Sequence, residues 1–200
     1  MRRLVLATSN AGKLAEIQPL LADSGIALVT QSELGVADAV ENGRSFIENA
    51  LLKARHACAA TGLPALADDS GLLVDALEGA PGLLSARYAG THGDSAGNIG
   101  KLLRALEGVP ESERAACFHC AIVLLRHADD PQPLVAEGIW HGRILAAPRG
   151  AGGFGYDPVF FDPRLQATAA ELPAEVKNRV SHRGQALRQL VERIGPWLQR

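Results

Sequence analysis

Two adjacent acidic residues interrupt the apolar, strand-like run ALADDSGLLVD at residues 65–75. Burying a carboxylate is costly unless cations or hydrogen-bond donors balance its charge. Neighbouring residues of a strand point to opposite faces, so one of Asp68 and Asp69 can face a cleft while the other faces inward toward a lysine. A carboxylate beside an anionic ligand implies a hard cation, and Mg²⁺ is the usual one near phosphates.

The segment TSNAGK, residues 8–13, has the pattern of an anion-binding turn. It follows a short apolar strand and precedes a helix, where free backbone N–H groups and the helix dipole attract negative charge. Lys13 adds a full positive charge. The segment is not a Walker A motif, because Leu14 stands where that motif has serine or threonine. A plain strand–helix turn is the alternative interpretation.

Several other charged residues are candidates for a site. His182 and Arg183 open a predicted helix. Cations are mildly unfavourable at that end of a helix, which indicates an anionic or acceptor-rich partner. Glu41 lies in a predicted loop and has no evident structural purpose. Taken singly, Lys53 and Lys177 are typical of solvated lysines.

The segment GAGGFG, residues 150–155, formally matches the dinucleotide-binding pattern G-x-G-x-x-G. That pattern should follow a strand and open a helix, whereas here it leads into the strand-like YDPVFF. We therefore expect a flexible loop that presents Phe154 and Tyr156 to a ligand, with a long hairpin loop as the alternative.

The C-x-x-C motif CFHC, residues 117–120, is the only close cysteine pair in the sequence. A structural zinc site needs four ligands, and no second pair exists. A redox motif should lie at a helix start, but this one lies in a predicted strand. We interpret these cysteines as core residues.

Composition narrows the class of protein. The chain has 200 residues, a formal net charge of −2, a pI of about 6.3 and 4% aromatic residues. These values argue against a surface that coats nucleic acid. Three cysteines indicate reduced thiols, and the opening apolar run LVLA is too short for a signal peptide or a membrane span. We expect one cytoplasmic, soluble domain.

The predicted elements give a mixed α/β fold in which helices flank a sheet. Ser45 with Glu48 forms a capping box, and Gly62 is a helix stop. Pro19 should kink or shorten the first helix, predicted to end near Gly25. A turn is expected at Ser70-Gly71. The other predicted elements are strands at 4–7 and 26–30, a loop at 31–44, a helix at 95–108, a hairpin around DDPQP, and a helical C-terminal third.

Taken together, the motifs resemble those of a known family. TSNAGK, SFIENALLKARHA, LADDSGLLVDALEGAPGLLSARYAG, FHCAIVLLRHA, GGFGYDPVFF and SHRGQAL occur in that order. The chain is similar, from about residue 3 to about residue 195, to the non-canonical purine nucleoside triphosphate pyrophosphatases, which act on inosine and xanthosine triphosphates. One departure is Ser9, where many members have glycine.

The resemblance implies a long central mixed sheet in a single catalytic domain, residues 1–200, of two lobes with a cleft between them. It also implies a homodimer, Mg²⁺ dependence and hydrolysis of ITP, dITP or XTP to the monophosphate and pyrophosphate by water attack at the α-phosphorus. No nucleic-acid or membrane partner is expected. Such an enzyme would cleanse the nucleotide pool.

The resemblance also assigns roles to residues. Asp69 is the expected general base and a metal ligand, Glu41 is a further metal ligand, and Lys53 and Asp68 support that centre. Asp68 is expected to face a lysine such as Lys53. The triphosphate is expected at Thr8, Ser9, Asn10, Ala11, Gly12 and Lys13. The other expected substrate contacts are Ser70, Phe154, Gly155, Tyr156, Asp157, Lys177, His182 and Arg183.

Selectivity for the base has a physical rationale. Hypoxanthine and xanthine carry an acceptor at the 6-position, where adenine carries a donor, so donors from Arg183 and loop amides would match only the former. Phe154 is placed to stack on the purine. The alternatives are a pyrophosphatase for other modified nucleotides, a nucleotide-binding sensor without turnover, and a phosphatase that releases orthophosphate.

Overall fold

The computed structural model describes residues 2–22 and 25–198. Among these residues it contains seven strands and five α-helices. The strands are β1 (Arg2–Leu6), β2 (Ile26–Thr30), β3 (Ala65–Val74), β4 (Ala115–Leu125), β5 (Leu134–Ile144), β6 (Phe160–Asp162) and β7 (Ala167–Thr168). The helices are α1 (Ala11–Leu21), α2 (Phe46–Thr61), α3 (Ser95–Ala105), α4 (Ala174–Val180) and α5 (His182–Leu198).

The strands form one open sheet in the order β2-β1-β3-β4-β5-β6-β7. β1 pairs in parallel with both β2 and β3, with Val5 opposite Val29 and Ala65. β6 is antiparallel to both β5 and β7. The predicted mixed sheet of an α/β fold is therefore confirmed. No helix in the described ranges is both long enough and apolar enough to cross a lipid bilayer.

The chain divides into two compact units. The first comprises Met1–Asp69, Cys120–Gly138 and His182–Arg200, and the second comprises Ser70–His119 and Ile139–Ser181. Each of the three longest strands, β3, β4 and β5, contributes residues to both units.

In the first unit, the alternation of side chains along the parallel strands separates two apolar layers. Leu6 and Leu66 belong to a buried cluster with residues of α1 and α5, such as Leu187. Ala65 and Ala67 belong to a second cluster with residues of α2. Since side chains alternate, Asp68 must follow Leu66 to the α1 and α5 face, and Asp69 must follow Ala67 to the α2 face.

The core of the second unit is aromatic. The Phe160 ring centroid lies 4.5 Å from that of Phe118 and 4.9 Å from that of Trp140. The Trp140 indole Nε1–H donates to Asp162 Oδ2 at 2.8 Å, so its polar group is satisfied inside the core.

Helix α2 begins and ends where the sequence predicts. The Ser45 hydroxyl accepts from the Glu48 backbone N–H at 3.2 Å, and the Glu48 carboxylate accepts from the Arg44 N–H. Gly62 has a φ of +67° and its N–H donates to the Cys58 carbonyl, a conformation that favours glycine.

Three local predictions are wrong. Ser70-Gly71 forms no turn, because β3 continues through it to Val74. The first helix ends at Leu21 rather than near Gly25 and runs two residues past Pro19. The expected strand through YDPVFF begins only at Phe160. The residues before it form turns, in which the N–H groups of Val159 and Phe160 both donate to the Tyr156 carbonyl.

The motif CFHC lies within β4, as predicted. Cys120 is fully buried in the core of the first unit, while Cys117 is half-buried. Both thiols are free, and burial raises the pKa of each, which suits inert structural cysteines.

Asp130 provides a first testable result. Its buried carboxylate accepts from the Arg126 backbone N–H, the Arg126 guanidinium and the Gln132 N–H, at 2.8 to 3.0 Å. The hydrogen bonds from the Arg126 side chain hold the Asp130 pKa well below its usual range. We expect Asp130→Asn to lower the free energy of unfolding by about 1–3 kcal/mol at pH 7, measured by urea titration.

The pH dependence of this loss has a defined sign. A carboxyl group with a lowered folded-state pKa contributes stability above its unfolded pKa, and this contribution is lost as pH falls. The difference in the free energy of unfolding between wild type and Asp130→Asn should therefore become smaller below about pH 4. Asp129→Asn, at the exposed neighbouring aspartate, is the matched control. An equal loss in both variants would contradict the assigned role.

Candidate active site

Strand β3 delivers the two adjacent carboxylates of the site. Asp68 is 1% exposed and Asp69 is 7% exposed. They contact different helices, as strand alternation requires: Asp69 contacts α2, and Asp68 contacts α1 and the first turn of α5. All of these residues belong to the first unit.

Asp69 lies in a group of polar side chains built on α2. Lys53 Nζ lies 2.9 Å from Asp69 Oδ1, and the Asn49 amide donates to Asp69 Oδ2 at 3.2 Å. Lys53 Nζ also lies 3.1 Å from Glu41 Oε1. One ammonium group thus holds the carboxylates of Asp69 and Glu41 near the same point. The structure brings together the predicted base, the predicted second acidic ligand and the predicted supporting lysine.

Asp68 faces a lysine, as expected, but the lysine is Lys13. The Asp68 Oδ2 atom lies 3.2 Å from Lys13 Nζ and 3.0 Å from Arg183 Nη2. Lys53, named as the example, is on α2, whose face of β3 carries Asp69, and it pairs with Asp69. Arg183, which is 2% exposed, also forms an ion pair with Glu16 of α1.

Burial and charge set the pKa values of the two carboxyl groups in opposite directions. Burial opposes ionisation of Asp68, but Lys13 and Arg183 outweigh it and hold the Asp68 pKa well below its usual range. Burial raises the pKa of Asp69, and Lys53 only partly offsets this. Asp68 is therefore a fixed anion, whereas Asp69 has the higher proton affinity that suits a general base.

The predicted anion-binding turn caps α1. Asn10 is the N-cap residue, and its side-chain oxygen accepts from the Lys13 N–H at 3.1 Å. The Asn10 N–H in turn donates to the Thr8 hydroxyl at 3.2 Å. Lys13 extends from this first turn to Asp68, which places its ammonium group beside the β3 carboxylates.

Ion pairs connect the charged side chains of this group. Among those described, the carboxylates of Asp68, Asp69, Glu41 and Glu16 are linked to Lys13, Lys53 and Arg183. Carboxylate oxygens from Glu41 and Asp69 are the donors that a hard divalent cation prefers.

Two protein carboxylates are enough to bind such an ion when the ligand supplies further oxygen donors. Within the described ranges, no cluster of three or more His, Cys, Asp or Glu side chains is arranged to hold a metal. Mg²⁺ usually keeps several waters and binds one or two carboxylates plus substrate phosphates, so the residues fit this mode of binding.

The second unit contains the predicted aromatic loop. Asp157 Oδ2 accepts from the Phe154 N–H at 2.7 Å and lies 2.5 Å from Lys177 Nζ. Lys177 Nζ lies 5.0 Å from the centre of the Phe154 ring, at cation–π distance. Lys177 is 6% exposed, so its interpretation as a solvated lysine is wrong.

Tyr156 is not presented to a ligand by its side chain. It is 4% exposed, and its hydroxyl donates to the Ser85 carbonyl at 2.9 Å. Ser85 is itself fixed, because its hydroxyl accepts from the Leu72 N–H and donates to the Gly82 carbonyl. The expectation that the Tyr156 ring faces a ligand is wrong; any contact from this residue would have to use its backbone.

Removing the Tyr156 hydroxyl should therefore reduce stability. Tyr156→Phe leaves the buried Ser85 carbonyl without this donor, and we expect the free energy of unfolding to fall by about 1–2 kcal/mol. Tyr88→Phe is the matched control, since it keeps the ring over which Lys101 lies. Thermal and urea unfolding of both variants measure the difference. A smaller loss for Tyr156→Phe than for Tyr88→Phe would refute the anchoring role.

The remaining predicted residues fall into both units. His182 is 5% exposed and belongs with Arg183 to the first turn of α5, in the first unit. Ser70 lies in β3, and Gly155 lies in the aromatic loop with a φ of +59°. Both belong to the second unit.

Three residues of the first unit were missed by the sequence reasoning. Glu16 and Asn49 each lie one helical turn from a predicted lysine, Lys13 and Lys53 respectively, and that spacing is the signal that points to them. No feature of the sequence indicated a role for Gly138 of β5. A Cβ atom there would lie 2.0 Å from the His182 carbonyl oxygen, so only glycine allows β5 to approach the first turn of α5.

Comparison with known proteins identifies relatives over nearly the whole chain. A model of the Ham1 family matches residues 4–193. The dITP/XTP pyrophosphatase of Xylella fastidiosa strain 9a5c is 60% identical over 95% of this chain and 96% of its own length. That of Thioalkalivibrio sulfidiphilus is also 60% identical, over 96% of this chain and 98% of its own.

Solved structures give the same result. A HAM1 protein from Coxiella burnetii superposes with a TM-score of 0.91 at 52% identity, covering 98% of this chain and 100% of its own. The Ham1 protein of Staphylococcus aureus has a TM-score of 0.85 at 36% identity, with the same coverage of both chains. The resemblance inferred from the sequence motifs is confirmed.

Proposed function

This chain belongs to the Ham1 family, and on that premise we propose that it hydrolyses inosine, deoxyinosine and xanthosine triphosphates to the monophosphate and pyrophosphate. The observation that carries the proposal is the group formed by Asp69, Asn49, Lys53 and Glu41 beside the capped turn of α1. It combines a carboxylate base, a pair of metal-binding carboxylates and an anion-binding turn, which hydrolysis of a triphosphate requires. The names of the relatives add the substrate class.

The triphosphate is assigned to the turn of residues 8–13. The Asn10 and Lys13 N–H groups of this turn already donate to the Thr8 and Asn10 side chains. The dipole at the start of α1 would favour an anion there. Lys13 supplies a positive charge that Asp68 orients at 3.2 Å. This charge would offset the negative charge that develops on the phosphate oxygens during the reaction.

Asp69 is assigned as the general base. Lys53 holds one of its oxygens and Asn49 the other, so the carboxylate has a fixed orientation. Burial raises the pKa of Asp69, whereas Mg²⁺ on the same carboxylate would lower it and keep the group ionised. An ionised carboxylate held in this orientation can accept the proton of the attacking water. Because pyrophosphate is a good leaving group, the reaction needs no covalent enzyme intermediate.

Glu41 and Asp69 are assigned as the residues that would hold Mg²⁺. Once bound, this ion would neutralise phosphate oxygens and help to place the attacking water. The convergence of both carboxylates on Lys53 Nζ supports this assignment.

The nucleoside is assigned to Phe154, Gly155, Tyr156, Asp157 and Lys177, together with Ser70, His182 and Arg183. Asp157 fixes the backbone of Phe154 and the position of Lys177, which supports Phe154 as a stacking surface for the purine. The contacts of Arg183 with Asp68 and Glu16 support a positioning role. Its direct contact with the 6-oxo group remains a prediction.

We further propose that the chain acts in the cytoplasm as a homodimer of single catalytic domains, each of two lobes. These proposals derive from the resemblance of the chain to its family. Size-exclusion chromatography with light scattering tests the assembly.

A panel of triphosphates tests the proposed function. We expect pyrophosphate release from ITP, dITP and XTP with Mg²⁺, and little from ATP or GTP. Arg183→Ala should blunt the preference for ITP over ATP if its donors read the base; unchanged selectivity would remove that role. Release from modified pyrimidine nucleotides alone would favour a different pyrophosphatase. Binding of ITP without turnover would indicate a sensor.

A further inference from the structure

The hydroxyl of Ser9 links the anion-binding turn to the loop that carries Glu41. Ser9 Oγ donates to Asp38 Oδ2 at 2.8 Å, although the two residues are 29 positions apart. The other carboxylate oxygen, Asp38 Oδ1, accepts from the side-chain amide of Gln31. Asp38 therefore joins the turn before α1 to the segment after β2.

The Gln31 end of this link is firmly held. Gln31 is 3% exposed, and its N–H donates to the Leu6 carbonyl of β1 at 3.1 Å. The Val36 N–H donates back to the Gln31 carbonyl at 2.9 Å. His56 Nε2 of α2 lies 2.9 Å from the carbonyl oxygen of Ala37, immediately before Asp38. The loop is thus pinned to β1 and α2 just before it reaches Glu41.

Glu41 follows Asp38 by three residues and reaches Lys53 Nζ at 3.1 Å. A shift of Asp38 would therefore move the backbone that places the Glu41 carboxylate. The donor in this link is the Ser9 hydroxyl, so a substitution that removes the hydroxyl removes the link.

We propose that Ser9 and Asp38 form a positioning pair. Their hydrogen bond fixes the triphosphate-binding turn, residues 8–13, relative to the loop that carries Glu41. The inference rests on the proposed function, because it assigns the triphosphate to residues 8–13 and Mg²⁺ to Glu41 and Asp69. Neither residue of the pair reacts. Together they order both binding elements before the substrate arrives, which reduces the entropy lost on binding.

The effects of charge and of tethering can be separated by substitution. Asp38→Asn removes a negative charge next to an anion-binding turn but keeps an oxygen acceptor for Gln31 and an amide donor for the Ser9 oxygen. Asp38→Ala removes the charge and the tether. Ser9→Ala removes the tether and keeps the charge of Asp38; because Ser9 also belongs to the turn assigned to the triphosphate, the tether is measured first without nucleotide. Ser32→Ala, an exposed serine of the same loop, is the matched control.

The first measurement is amide hydrogen exchange of segment 36–43 without nucleotide. We expect exchange to be roughly three- to tenfold faster in Ser9→Ala and Asp38→Ala, because the hydrogen bond that tethers the loop to the turn is lost. The double variant Ser9→Ala/Asp38→Ala should be no faster than the faster single variant, since both remove the same link. Asp38→Asn and Ser32→Ala should stay near wild type.

The second measurement is hydrolysis of ITP at varied Mg²⁺. The Mg²⁺ concentration for half-maximal rate should rise roughly three- to tenfold in Ser9→Ala and Asp38→Ala, with a smaller change in kcat. The proposed pair would be refuted by wild-type rates of amide exchange in Ser9→Ala. It would also be refuted if the increases in exchange of the two single variants added in the double variant. If wild-type protein did not hydrolyse ITP, the proposed function would fail, while hydrogen exchange would still test the link between Ser9 and Asp38.

Discussion

Asp69→Asn is expected to lower kcat for ITP by about a thousandfold while the protein remains folded. The substitution removes the general base, whose contribution is typically about 10²–10⁴, and also removes one of two metal-binding carboxylates. An asparagine oxygen can still accept from Lys53, and Lys53 keeps Glu41 as a partner, so we expect little loss of stability. Steady-state kinetics and thermal unfolding measure the two effects.

Asp75→Asn is the matched control for this prediction. Asp75 is an exposed aspartate immediately after β3, and its substitution should leave kcat within about twofold. If Asp69→Asn kept more than a tenth of wild-type kcat, Asp69 would not be the base. Asp68 would then be the carboxylate to examine next.

Asp68→Ala is expected to lower the free energy of unfolding by about 3–5 kcal/mol. The substitution removes a buried carboxylate that ion-pairs with Lys13 and Arg183, and leaves the fully buried Arg183 guanidinium with Glu16 as its remaining ion-pair partner among those described. An incompletely compensated buried charge is far more costly than a missing pair. Urea unfolding at pH 7 measures the loss, and a value below about 1 kcal/mol would contradict the account.

The pH dependence separates this effect from the loss of packing. Because the Asp68 pKa is lowered in the folded protein, its contribution to stability is present above its unfolded pKa and is lost as pH falls. The stability gap between wild type and Asp68→Ala should narrow below about pH 4. A gap that stayed constant with pH would assign the loss to packing alone.

Local chemistry made much of the first unit predictable. Strand alternation separated Asp68 from Asp69, and the capping box at Ser45 fixed the start of α2. The Asn10 turn was predicted because a strand, a glycine-containing loop and a helix start follow one another in the sequence. Each of these inferences uses residues within a few positions of one another, where backbone geometry is decisive.

The partners of the two aspartates were harder to predict. The helix that covers each face of β3 depends on contacts between residues far apart in the chain, so the lysine facing Asp68 was exemplified by Lys53, although it is Lys13. Arg183 lies 115 positions from Asp68, and no local pattern indicates their ion pair. The resemblance to a family indicated which residues belong to the site, but not which side chains contact one another.

Two errors of local structure have a common physical cause. Ser70-Gly71 is typical of a turn, and the residues of YDPVFF are typical of a strand. In the structure, tertiary hydrogen bonds hold residues in or next to both segments: the Leu72 N–H donates to the Ser85 hydroxyl, and the Tyr156 hydroxyl donates to the Ser85 carbonyl. Intrinsic preference is a weak guide where such contacts are available.

Phosphorus NMR of ITP hydrolysed with Mg²⁺ in ¹⁸O-labelled water tests the central claim most directly. Attack at the α-phosphorus places the label in inosine monophosphate and leaves pyrophosphate unlabelled, and this is the result we predict. Label in pyrophosphate would show attack at the β-phosphorus. Formation of orthophosphate and inosine diphosphate would contradict the proposed reaction altogether.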